Sequence, residues 1–183
     1  INRCITFSCE QMSKIKIFLL LSGYQLTWLM CVFGEIIYKS FLPGIITGTI
    51  FLILVLINAE NKKRFFIIVI SISIIGYLFD TSLVNFKIYN FNTSFYLGFL
   101  PIWMIILWPS FAVLFDEVFV FLSKYKFVAL LLSGILGPLT YYSGSPLGII
   151  YINNLLLFFL AMIIFWVLLM YFYLNFLLQI KFT

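Results

Sequence analysis

Six long apolar stretches, separated by short polar joints, leave this 183-residue chain few ways to fold. A helix needs about 20 apolar residues to cross the ~30 Å hydrocarbon core of a bilayer. The stretches run from Ile17 to Ile37, Phe41 to Ala59, Phe65 to Val84, Tyr96 to Phe115, Phe127 to Tyr142, and from Ile152 to about Leu174. The fifth is the shortest and ends in Gly137-Pro138. Strands of a membrane barrel would alternate apolar and polar residues, whereas these runs are continuously apolar. The expected fold class is therefore all-α: a polytopic membrane helix bundle of about six transmembrane helices, forming one domain over residues 12–183.

Orientation follows from the basic residues. With the N-terminus inside, Arg3, Lys14, Lys16, Lys62, Lys63, Arg64, Lys124, Lys126 and Lys181 all fall on the cytoplasmic side, leaving Lys39 and Lys87 outside. The positive-inside rule then places both termini in the cytoplasm, and the expected location is the bacterial inner membrane. Charged residues make up 9% of the chain, against about 25% in a soluble domain, so no soluble domain fits beside the spans. The net charge of +5 sits in short clusters between apolar runs, which favours a membrane over nucleic acid as the partner.

The chain has no histidine, and its three cysteines, Cys4, Cys9 and Cys31, form no CxxC pair. No metal or other cofactor is expected from such a set, and no disulfide framework. Cys31 reads as a small packing residue inside the first span. Residues 1–11 are polar and precede Met12-Ser-Lys-Ile-Lys, which resembles a native start. They are expected to be a non-native or disordered extension.

Ionisable groups within a bilayer are costly and mark candidate sites. Glu35 lies near the outer end of the first span, and Asp80 roughly 6 Å inside the outer end of the third. Gln25, Trp28, Val32 and Glu35 share one helical face, as do Ser73, Gly76, Tyr77 and Asp80. Trp103, Tyr141, Tyr142, Asn153 and Asn154 fall in the same outer half. Asp80, Glu35, Gln25, Trp28, Trp103, Tyr77, Tyr141 and Asn153 are thus candidates for a ligand or proton site in an outward-facing cavity. The alternative is that Glu35 reaches the interface and Asp80 bonds to packing partners.

Asp116-Glu117 is expected to be a solvated turn with ion pairs to Lys124 and Lys126. Gly44-Ile-Ile-Thr-Gly48 allows close helix approach, more plausibly within the chain than between copies. Pro101, Pro109 and Pro138 each free a carbonyl that a neighbour must satisfy. Trp28, Trp103, Trp108 and Trp166 lie too deep in their spans for an interfacial belt. Packing accounts for them, and so would a pocket for a lipid or a ring.

Four motifs in order carry a family resemblance: Gln25-Leu-Thr-Trp28-Leu-Met-Cys31-Val32-Phe-Gly34, Gly76-x-x-x-Asp80-x-Ser82, Pro101-Ile-Trp103-Met-Ile-Ile-Leu107-Trp108-Pro-Ser-Phe111, and Gly137-Pro138-Leu-Thr-Tyr141-x-x-Gly144. Together they make the chain resemble an uncharacterised bacterial inner-membrane family, domain of unknown function 2878. The resemblance implies an accessory membrane protein associated with enzymes that modify fatty acyl chains, and it carries over no catalytic residue.

Three functions are compatible with these features. The first is an accessory protein that binds lipid or a lipid-like substrate, with membrane lipid and an unidentified membrane or cytoplasmic protein as partners, and no nucleic acid. The second is a small transporter or substrate-binding transport subunit, with Asp80 as the coupling group and no Walker motif of its own. The third is an intramembrane enzyme of lipid metabolism using Glu35 and Asp80 as an acid/base pair. The two non-enzyme functions rank ahead of it.

Overall fold

A computed structural model describes the backbone of residues 2–179 and the side chains of residues 14–120 and 122–179. The side chains of the expected extension at residues 1–11, with Arg3, Cys4 and Cys9, lie outside this set, as does Lys181. The fold is helical, with α1 at Asn2–Tyr38, α2 at Leu42–Asn58, α3 at Lys62–Asn85, α4 at Met104–Glu117, α5 at Lys126–Tyr142 and α6 at Leu155–Asn175. A 3-10 segment, Phe119–Tyr125, joins α4 to α5. Four apolar helical stretches are long enough to cross a membrane: Lys14–Tyr38, Lys62–Asn85, Leu122–Tyr142 and Leu155–Gln179. The shorter α2 is also apolar.

Local signals set the helix starts. Asn61 accepts a hydrogen bond from the Arg64 N–H at 3.0 Å and opens α3, and Asn154 does the same for α6 through the Leu157 N–H. Pro43 lies in the first turn of α2, where its missing N–H costs nothing. The fourth helix departs from expectation. It begins at Met104, not Tyr96, because residues 96–101 turn back on themselves as a small hairpin of two strands, β2 at Tyr96–Leu97 and β3 at Leu100–Pro101, with Tyr96 opposite Pro101 and Leu97 opposite Leu100. Gly98 at its tip has φ of +63°, a conformation most side chains resist. With 14 residues, α4 rises only about 21 Å.

Two connections, α3 to α4 and α5 to α6, pair with each other, which the apolar pattern does not announce. Strand β1, Tyr89–Phe91, runs antiparallel to β4, Ile150–Ile152, with Tyr89 opposite Ile152. Asn92 extends the pairing, its side chain donating to the Gly148 carbonyl at 2.9 Å. Asn153 donates to the Lys87 carbonyl at 2.8 Å. The connection after α5 is therefore more than a tight hairpin.

Within the bundle, α1 packs on α2 and α4, α3 packs on α4, and α5 pairs with α6. A side chain at Gly44 would strike Cys31 of α1, and one at Gly48 would strike Ile106 of α4, so this glycine pair serves packing within the chain. Cys31 is buried and unpaired. Pro109 denies the Ile105 carbonyl its helical donor, and the Tyr77 hydroxyl of α3 supplies one at 2.7 Å.

Candidate functional site

Asp80 is fully buried, and three neutral donors from three elements converge on it. Its Oδ1 accepts from the Tyr89 hydroxyl of β1 at 2.6 Å, and its Oδ2 from the Trp108 indole N–H of α4 at 2.7 Å. The Tyr141 hydroxyl of α5 spans both oxygens, at 2.9 and 2.8 Å. Among the described residues no cation pairs with this carboxylate. Burial, reinforced by the adjacent carboxylate, pushes the Tyr89 phenol well above its ordinary range, so it stays protonated and donates.

Beside this cluster lies a cavity of about 390 Å³, bounded by α1, α4 and the α5–α6 hairpin. It extends from Phe91 and Ile150, in the paired strands β1 and β4, to Ile17 and Leu122 at the other end. All four tryptophans of the chain line it, with Tyr24, Phe111 and Tyr141. Among the described residues, the wall contains no Asp, Glu, Lys or Arg. Two glycines let the indoles close in: a β-carbon at Gly76 would collide with Trp108, and one at Gly137 with Trp166. Trp108 and Trp166 stack at 5.8 Å, 19° apart, and Phe111 meets Trp166 edge-on at 5.1 Å. The volume falls within the range of small-molecule pockets, and the wall is apolar and aromatic as theirs are.

The sequence-derived candidates divide in two. Trp28, Trp103 and Tyr141 line the cavity; Asp80, Glu35, Gln25, Tyr77 and Asn153 do not. Asp80 sits behind the wall, joined to it through Trp108 and Tyr141. Glu35 is 2% exposed; its Oε1 accepts from the Ser94 N–H at 2.6 Å, tying α1 to the loop between β1 and β2, and its Oε2 has no partner. Gln25 is exposed. Tyr77 and Asn153 serve the carbonyls of Ile105 and Lys87. Asp80 and Glu35 share no hydrogen-bond partner. Tyr89 and Tyr24 were not among the candidates, and nothing local to either residue singles it out.

At the opposite end, the acidic pair of α4 binds across helices. Arg64 of α3 grips both oxygens of Asp116, with Nε at 2.9 and 2.8 Å and Nη2 at 2.7 Å from Oδ1. Lys16 of α1 meets Glu117 at 2.6 Å. These partners differ from the expected Lys124 and Lys126, because α4 ends at Glu117, Lys124 lies in the 3-10 segment that follows, and Lys126 opens α5. Lys126 instead reaches Asn175 at 3.4 Å.

The family described as "Protein of unknown function (DUF2878)" matches residues 17–172. No curated protein and no solved structure matches the chain.

Proposed function

This chain belongs to the DUF2878 family, and from that premise we propose that it is a six-span inner-membrane protein that holds a lipid or lipid-like molecule in its aromatic cavity. The observation that carries this reading is the cavity wall: apolar, rich in indole and phenyl rings, and free of charged side chains. A lipid chain in the bilayer has already left water, so its gain on entering comes from close packing against these rings, each pair of touching heavy atoms contributing about 0.1–0.2 kcal/mol. Exposed Leu21, Leu132 and Leu136 continue the wall outward, a surface suited to lipid exchange from the side. The transport reading has less support, since its coupling group, Asp80, is sealed behind Trp108 and Tyr141.

Native mass spectrometry of the protein in mild detergent tests the proposal. The expected spectrum shows a bound lipid that Thr140→Trp, which fills the cavity from its α5 wall, removes while helix content is preserved. A bare wild-type protein would sink the binding reading.

The six spans and cytoplasmic termini rest on the distribution of Lys and Arg. In a background with Cys4, Cys9 and Cys31 replaced, Lys39→Cys and Lys87→Cys are expected to react with an impermeant maleimide in intact spheroplasts. Lys63→Cys and Lys124→Cys are expected to react only after permeabilisation. The opposite labelling would invert the topology.

A further inference from the structure

Resting on that binding reading, we propose that the cavity takes a lipid alcohol: an uncharged long-chain molecule whose free hydroxyl donates a hydrogen bond to the Tyr141 oxygen. The wall carries no charge, so an ionised headgroup buried against it would have no counter-ion and no strong donor set. The buried polar end is therefore neutral.

The direction of hydrogen bonding narrows the choice. Tyr141 lines the cavity, but its hydrogen is committed to both oxygens of Asp80. The Thr140 and Ser133 hydroxyls in the same wall donate to their own helix, to the Leu136 and Leu130 carbonyls, each at 2.9 Å. All three offer a guest lone pairs and no hydrogen. The Trp166 ring, 6.5 Å from that of Tyr141, has a buried indole N–H without a partner. A wall with committed hydroxyls and a spare indole donor is matched by a group that donates and accepts. A hydroxyl does both, whereas an ether or ester oxygen only accepts. Asp80 acts here as a positioning residue, fixing the Tyr141 hydrogen away from the guest.

The four tryptophans all line the cavity, so intrinsic fluorescence reports its occupancy. Protein in phosphatidylglycerol nanodiscs is titrated, at low mole fraction, with a diacylglycerol carrying dibrominated acyl chains, and separately with its methyl ether. Saturable quenching is expected for both, with the alcohol half-saturating at about tenfold lower mole fraction, the worth of one buried hydrogen bond. Tyr141→Phe, which leaves Asp80 its Tyr89 and Trp108 donors, is expected to equalise the two. Equal half-saturation in the wild type would overturn the hydroxyl assignment and leave lipid binding standing. Absence of saturable quenching by either probe would overturn the binding reading, and this inference with it. The wild-type comparison decides the matter even if the variant is unstable.

Discussion

Asp80→Ala is expected to lower the stability of the protein by about 3–5 kcal/mol, because it leaves three buried donors without an acceptor. The Tyr89 and Tyr141 hydroxyls and the Trp108 N–H all end on this carboxylate, and apolar surroundings offer them no substitute. The corresponding drop in melting midpoint is roughly 10 °C for a chain of this size. Thermal unfolding in detergent, followed by far-ultraviolet circular dichroism, measures it. Tyr89→Phe removes one donor and leaves the carboxylate two others, so its expected cost is only about 1–2 kcal/mol. If Asp80→Ala unfolded within a degree or two of the wild type, the cluster would not be a principal tie between β1, α4 and α5.

Gly76→Val is expected to have a comparable effect by another route. The Trp108 indole lies against the bare backbone of Gly76, where a β-carbon has no room. Displacing that indole strains the α3–α4 contact, at about 1–3 kcal/mol for overpacking. It also pulls the indole N–H from Asp80, a charge-assisted bond worth about 1.5–3 kcal/mol. Because one ring carries both effects, Gly76→Val and Trp108→Phe should be coupled: the double variant loses less stability than the two single losses added. Strict additivity would show that valine is accommodated without moving the ring.

The sequence exposed the apolar helices because continuous hydropathy is all that a membrane span requires. It also exposed the depth of the four tryptophans and the need for a donor at the Pro109 kink, since these follow from position along a helix. The start of α4 was hidden, because Tyr96–Leu100 is apolar enough to continue a span, and the hairpin there depends on backbone conformation at Gly98. Helical spacing grouped Gln25 with Trp28, Val32 and Glu35. At about 100° per residue, however, Gln25 sits at the edge of that stripe, and it turns outward. The Asp80 partners were legible only in part. Trp108 and Tyr141 belong to motif-bearing spans, but Tyr89 arrives through strands 61 residues apart in their opening positions, Tyr89 and Ile150, and no local pattern encodes that pairing.

A proline in the middle of a membrane helix ordinarily gives a soft joint, about which the two halves can swing. In α4 the joint at Pro109 is pinned: the Ile105 carbonyl is held by Tyr77 of α3, and the next turn carries Trp108 bound to Asp80 of the same helix. The helix thus behaves as a stiff post. Any movement that admits a bulky guest must then come from the remaining walls, α1 and the α5–α6 hairpin, of which the hairpin is fastened at one end by β1–β4 and to α3 by the Phe79–Phe165 ring stack. The mechanical compliance of the cavity lies in α1 and the α5–α6 hairpin, and the α4 wall is its fixed datum.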